Sequence, residues 1–313
     1  MTTSTVLTAT WGDGMFVISG ENRHHELAGQ PVHALAPDGH GGALAIVSGH
    51  SLRRRTSDGH WMTIATSEFQ LACCAAVGDL IYIGTDDARV LRVSGGNVEQ
   101  LRGFDDVAGR DEWFAGSAVI NGQRVGPPLG IRSMTATVDG RVLLANVHVG
   151  GVPRSTDGGA TWHPTIDIFT DVHEVCAHPT EPHAAIAAAA AGFCISEDGG
   201  ATWTVDQDGL HAAYCSAVAF LGDDVLVAAS TDHFATHGAV YRRPLNARQP
   251  FVPVGGGLPR WIDGIADTRC IATRSSAAAV ADRAGNLYVS TDAGRTWLRR
   301  VDGLPQPSSV VIV

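Results

Sequence analysis

The chain has 313 residues, 44% of them hydrophobic and 17% charged, which supports a real core in one large domain or two small ones and is too little charge for disorder. A formal net charge of -10 argues against nucleic acid as the main partner, because phosphate binding needs a basic surface. All 22 basic residues are Arg, which excludes a Schiff-base lysine and a phosphate-loop lysine.

The start, MTTSTVLTATWGDG, has neither the cationic nor the apolar region of a signal peptide, and no run approaches the ~18 apolar residues of a membrane span. Cys73, Cys74, Cys176, Cys194, Cys215 and Cys270 lie in apolar runs without a CxxC pair, so they read as buried free thiols. The expectation is a soluble cytoplasmic protein without membrane or nucleic-acid partners.

In chain order, residues 4–29 read as three strands: STVLTATWGD, GMFVISG and RHHELAG. Four-strand units follow at about 31–66, 67–104, 129–169, 170–210, 211–257 and 265–302. Each opens with a small, apolar strand a (VHALAP, VHEVCAH) and continues with a purely apolar strand b (LIYIGT, RVLLANVHV, DVLVAAST). Runs this short, bounded by Gly, Asp and Asn, are strand signals. The poly-Ala run 184–191 has helical propensity, but its place in the repeat makes it a strand. Residues 104–128 fit no unit and read as a long inter-blade loop. The tail SSVVIV supplies a lone strand a, which the three N-terminal strands complete.

A phrase punctuates these units: RSTDGGATW at 154–162, ISEDGGATW at 195–203, VSTDAGRTW at 289–297, and a degenerate RTSDGHW around Asp58. Asp157 and Asp198 are 41 residues apart, Asp198 and Asp292 are 94, and Asp58 and Asp157 are 99. A period in the forties with four short strands per unit predicts an all-β, seven-bladed propeller in one domain, 1–313, closed by pairing the chain ends. Closure removes the exposed sheet edges.

The phrase resembles the Asp-box, or BNR, repeat, Ser/Thr-x-Asp-x-Gly-x-Thr-Trp. Its Asp can accept N–H groups of its own turn, its Gly supplies positive φ, and its Trp covers the strands. Asp58, Asp157, Asp198 and Asp292 are therefore read as structural. The spacing lacks the closing Glu of an EF-hand, so these are not calcium loops.

With the boxes on the c–d hairpins, ligands are expected at the opposite mouth, where d–a and b–c loops meet. His24, His25, His40, His60, His163, His178 and His183 fall away from it; His33, His50, His148, His173, His211, His233 and His237 fall on it. Aligning the a strands puts His33, Ala72, Arg132, His173, Ser216, Arg269 and Ser309 around the channel entrance, where an apolar ring would otherwise be expected. The structural alternative is that the His residues bond neighbouring blades and the Arg residues pair with Asp171 or Asp267.

The expected metal ligands are His33, His148, His173 and His233, holding a divalent ion (zinc, copper or iron); no nucleotide cofactor or pyridoxal phosphate is expected. The expected catalytic residues are His173, His211, Tyr214 and Asp171. Arg132, Arg269, Arg260 and Trp261 are expected to bind a small polar or anionic molecule. This reads as a metal-assisted or His acid–base hydrolase or lyase. The resemblance also allows a non-catalytic scaffold that binds a protein segment, similar to photosystem assembly factors or sortilin-type receptors. A sialidase-like hydrolase is a third alternative, but the Phe/Tyr-Arg-Ile-Pro stretch that resemblance would require is missing.

Overall fold

The computed structural model describes residues 4–114, 119–120, 123–124, 129–167, 170–246 and 249–313. Seven four-stranded antiparallel sheets form the blades, the one at 214–253 gaining an extra short strand, Ile262–Asp263. We number them 1 (32–66), 2 (71–100), 3 (131–164), 4 (172–206), 5 (214–253), 6 (271–301) and 7 (5–26 with 307–312). Two three-residue 3-10 turns are the only helical elements among the described residues.

Within each blade the strands run a to d from axis to rim, and a strands of adjacent blades pack together. The b strands are buried, wholly so in Ala43–Val47, Leu143–Val147 and Ala277–Ala281. The poly-Ala run forms the buried strand Ala185–Ala189. Its small side chains suit a site packed on both faces, and this packing overrides helical propensity. In blade 7 the C-terminal strand Pro307–Ile312 pairs antiparallel with Thr5–Thr10, so the ends close the ring.

A bulge recurs where strand a meets strand b. It skips His33, Ala72, Arg132, His173 and Ser216 in blades 1 to 5. Arg269 takes the corresponding place in blade 6, at φ +64°. In blade 7 the skipped residue is Ser308, because Ala9 pairs Ser309 and Thr10 pairs Pro307. This corrects the alignment on Ser309 by one residue. Ser308 Oγ donates to the Val32 carbonyl of blade 1, as His173 Nδ1 bonds the Cys215 carbonyl of blade 5.

The Asp boxes form one repeated network. Ser155 Oγ accepts the Gly159 N–H (2.9 Å) and donates to Asp157 Oδ1 (2.8 Å). Asp157 in turn accepts the Thr161 N–H (2.9 Å) and hydroxyl (2.6 Å), and Trp162 Nε1 donates to the Gly159 carbonyl. The same bonds recur around Asp198 and Asp292. At Asp58, His60 replaces the Thr and bonds the carboxylate through Nδ1, while Trp61 Nε1 donates to Glu26.

Each full box also wedges against the preceding blade. A Cβ on Gly159 would meet Leu101 at 2.5 Å, and one on Gly200 would meet Leu144 at 2.6 Å. The carbonyl after each box Asp is also bonded from that blade: Gly158 by Tyr82, Gly199 by Arg154 and Ala293 by Arg242.

Part of the expected 104–128 loop is described. Phe104 and Trp113 are buried in the core shared by blades 2 and 3, with the Arg110 guanidinium over both rings. Phe114 pairs with Val149, beside His148. Positions 115–118, 121–122 and 125–128 of the loop lie outside the described residues. All six cysteines are free, and burial pushes the thiols of Cys73, Cys74, Cys176 and Cys194 up to about 12. Among the described residues no helix is long and apolar enough to cross a membrane.

Two outcomes follow. Asp157→Ala should cost about 1–2 kcal/mol through lost turn bonds, measured by denaturant unfolding. The hydrogen bonds hold Asp157 and Asp292 at about 2, below the ordinary carboxylate value of 3.8. Their contribution is therefore full above pH 4 and should be lost as pH falls toward about 2. An Asp157→Asn variant should lose less stability than the parent over that interval, and parallel pH–stability curves would exclude the assignment.

Candidate functional site

Antiparallel pairing puts the start of each a strand and the end of each b strand on one face, and the c–d boxes on the other. His148 follows the b strand Leu143–Val147 of blade 3, and Asp171 and His173 open strand a of blade 4. The two segments are joined directly, since the Val172 N–H donates to the His148 carbonyl at 2.9 Å. Three potential ligand atoms converge as a result: His148, Asp171 and His173 each offer one, all within 4.8 Å of one another.

Asp171 Oδ1 lies 3.0 Å from His148 Nε2 and 3.3 Å from His173 Nε2. Both Asp171 Oδ1 and His173 Nε2 are buried without completing a hydrogen bond. His173 bonds the Cys215 carbonyl through Nδ1 at 2.5 Å. A carbonyl can only accept, so Nδ1 carries a proton and Nε2 is the ring atom turned toward Asp171. Burial raises the Asp171 carboxyl, but the two imidazoles against it outweigh burial and hold it well below the usual range. Burial, the largest influence on His148, lowers its pKa and favours the neutral ring.

Arg132 borders this cluster. Its Nη1 lies 2.9 Å from His148 Nε2, and its Nη2 donates to Thr268 Oγ1 (3.2 Å) and lies 3.6 Å from Asp267 Oδ1. The other Asp267 oxygen faces Arg283 at 3.3 Å, and Arg283 Nη1 donates to the His233 carbonyl. Asp267 thus sits between two guanidinium groups, and these hold its carboxyl low against the raising effect of burial. Tyr214 packs its ring 4.5 Å from His173. Burial keeps its hydroxyl protonated far above neutrality.

Other expected residues go elsewhere. Arg269 reaches across the channel and donates to three bulge carbonyls: Ala72 and Arg132 at 2.9 Å and His33 at 3.2 Å. Its Nη groups are thereby committed to backbone, not held open for a ligand. His33 packs against Trp11, 5.4 Å between ring centroids, and is not one of the three clustered ligands. His233 is likewise not a member; it stacks its edge on Phe234 and lies by Arg283. His211, Arg260 and Trp261 gather around Tyr241, in a separate cluster.

Glu174 and Thr268 were not singled out from the sequence. Glu174 is buried, accepts the Val218 N–H at 3.1 Å, and burial pushes its carboxyl up to about 7. A lone Glu within the apolar VHEVCA strand was the available signal. Thr268 Oγ1 donates to the His173 carbonyl at 3.2 Å, a contact no local pattern encodes.

The BNR/Asp-box repeat family model matches residues 154–164. Together with the fold, this makes the chain a BNR-like, Asp-box β-propeller. No match was found among curated protein sequences. Similar solved structures include an ancestral GH74 enzyme (TM-score 0.61, 14% identity, covering 100% of this chain and 40% of that one). The GH74 xyloglucanase of Xanthomonas campestris has TM-score 0.58 and 16% identity, over 95% of this chain and 46% of that one. A Bacteroides uniformis protein provisionally described as a 6-phosphogluconolactonase has TM-score 0.66 and 12% identity, and covers all of both chains. The chain thus spans under half the length of these GH74 proteins. At such identities the likeness is one of fold, and it places enzymes among the structural neighbours.

A stability difference should report the Arg269 geometry. Arg269→Ala removes three charged-donor bonds and keeps a left-handed backbone, so it should cost about 3 kcal/mol or more. Arg269→Gly should be about 0.5–1 kcal/mol less damaging, because glycine adopts positive φ freely. Equal unfolding midpoints for the two variants would show that the backbone strain is not borne there.

Proposed function

We propose that this propeller is an enzyme that binds a divalent metal at His148, Asp171 and His173 and acts on a small polar or anionic substrate in the channel mouth. One observation carries the reading: buried Asp171 Oδ1 and His173 Nε2 face one another at 3.3 Å without a hydrogen bond. Two lone-pair atoms left in this way are costly unless a cation or proton lies between them. Two imidazoles and one carboxylate form a donor set suited to zinc, copper or iron. The Cys215 carbonyl fixes the His173 tautomer, as the outer partner of a ligating histidine should.

A metal there would supply Lewis-acid polarisation of a substrate oxygen or an activated water. The chain's residues account for the rest. Arg132 and Arg283 flank the cluster and offer guanidinium N–H groups to a substrate carboxylate or phosphate. The Tyr214 hydroxyl makes no hydrogen bond within the described residues and stays protonated, so it can donate to a leaving or developing oxyanion. Asp267 limits the charge repulsion between the two arginines and fixes their spacing. Enzymes among the structural neighbours support catalysis in general and do not identify the reaction.

A second reading has its own observation. Arg132 Nη1 lies 2.9 Å from His148 Nε2, where it competes with any metal for that lone pair. Without a metal, His148 and His173 with Asp171 would work as an acid–base group.

The two readings separate experimentally. Protein purified without a His tag should carry near-stoichiometric metal by elemental analysis, and His148→Ala and His173→Ala should each lose it. Arg132→Gln should bind the metal about tenfold more tightly or better, since it removes a like charge and a competing donor. Metal-free wild-type protein that takes up no zinc, copper or iron, with a chelator-insensitive activity, would leave the acid–base reading.

A further inference from the structure

Outside the clustered ligands, the same face carries a fixed cation and an exposed indole whose arrangement the fold does not require. The Arg260 guanidinium lies 4.3 Å from the Trp261 ring centroid and 5.3 Å from that of Tyr241. Its Nη2 donates to the Tyr241 hydroxyl at 3.2 Å. Tyr241 is fully buried, so this anchor is set in the packed core of its blade. The hydroxyl also accepts the His211 backbone N–H (3.2 Å) and lies 2.8 Å from His211 Nδ1. With two donors already on its oxygen, its single proton goes to His211 Nδ1. His211 is then a neutral ring with its N–H on the exposed Nε2; burial and Arg260 both lower its pKa, in keeping with this.

Trp261 is 45% exposed, with its ring braced edge-on by His211 at 4.9 Å. Immediately after it, Ile262–Asp263 pairs with His237–Gly238, which pins the loop to blade 5. An exposed arginine ordinarily samples many rotamers, and an exposed Trp on a loop ordinarily folds down. Here both are held in advance, so the entropy of ordering them has already been spent. Guanidinium N–H groups not bonded to Tyr241 and the His211 Nε2–H then offer donors next to an apolar ring surface.

We propose that Arg260, Trp261 and His211 form a recognition site for an oxyanion carried on a ring, the carboxylate or phosphate on Arg260 and the ring against Trp261. The proposal rests on the reading of this face as the ligand face, but not on metal binding. His211 lies three residues before Tyr214, whose ring touches His173, so one loop links this rim to the candidate centre.

The test uses full-length protein dialysed against chelator, titrated calorimetrically with glucuronate, glucose 6-phosphate, benzoate, phenyl phosphate, glucose and inorganic phosphate. At least one ring-bearing oxyanion should bind saturably, and more tightly than glucose or inorganic phosphate. The sugar and aryl arms identify the ring, and the carboxylate and phosphate arms identify the anion. Arg260→Gln and Trp261→Ala should each weaken that binding about tenfold. Both side chains are exposed, so melting temperature should stay near that of the parent. Metal content, measured on undialysed samples of the same variants, should match wild type. Failure of every ring-bearing oxyanion to bind, or binding unchanged in both variants, would overturn the proposal. A loss of the metal reading would show instead in the elemental analysis of wild type.

Discussion

Six of the seven blades bulge their innermost strand at the same place, where Arg269 stands in blade 6, and the bulge creates a demand for hydrogen bonds on the channel axis. A bulge releases one residue from the a–b ladder, so that its side chain and carbonyl need other partners. Arg269 meets that demand for three blades at once, donating to the carbonyls of His33, Ala72 and Arg132. Its neighbour Thr268 serves a fourth, the carbonyl of His173. The Arg269 carbonyl itself accepts the Val310 N–H of the closing blade. A single two-residue step in blade 6 thus ties blades 1, 2, 3, 4 and 7 across the axis, and the positive φ at Arg269 is the strain it carries for that reach.

The candidate centre depends on this arrangement. Arg132 and His173 are themselves bulge residues, so the irregularity that turns carbonyls to the axis also turns these side chains toward the mouth. His148 comes from the loop after a b strand, and the Val172 N–H bond locks it to the strand that carries His173. Asp267 and Thr268 precede Arg269 and place a carboxylate and a hydroxyl within reach of Arg132. The geometry of the candidate site and channel closure therefore share one backbone, and a change at residues 267–269 would disturb both.

Much of the fold was legible because its signals are local. The box phrase, its spacing and the incomplete ends fix blade type, blade number and ring closure. The inward-turned a-strand positions were also legible, because a polar residue stands out in strands such as VHEVCAH. The closing strand SSVVIV offers two adjacent serines, and apolar patterning cannot tell which one the bulge skips. Arg269 was unreadable for a different reason. Alignment places its Cα on the mouth ring, but its partners are carbonyls 137 to 236 residues away in sequence, and carbonyls leave no trace in a pattern of side chains. The same limit hid Thr268 and merged two clusters: His33 and His211 share a face with His148, but depth and partner separate them.

The two faces of the ring differ in what their polar groups have left to give. On the box face Asp157, Asp198 and Asp292 each accept from their own turn's N–H and hydroxyl groups, and the carbonyl beside each Asp is bonded from the preceding blade. Those carboxylates lie in water and are already saturated, which suits scaffold and leaves little capacity to bind anything else. On the mouth face the Asp171 Oδ1 and His173 Nε2 atoms are buried without a completed hydrogen bond, and Asp267 is crowded by two guanidinium groups. Unmet bonding capacity in a place where water is scarce is what gives a side chain leverage over a ligand. The recurring Asp that dominates the sequence therefore builds the ring, whereas the candidate site is made by residues that break its repeat.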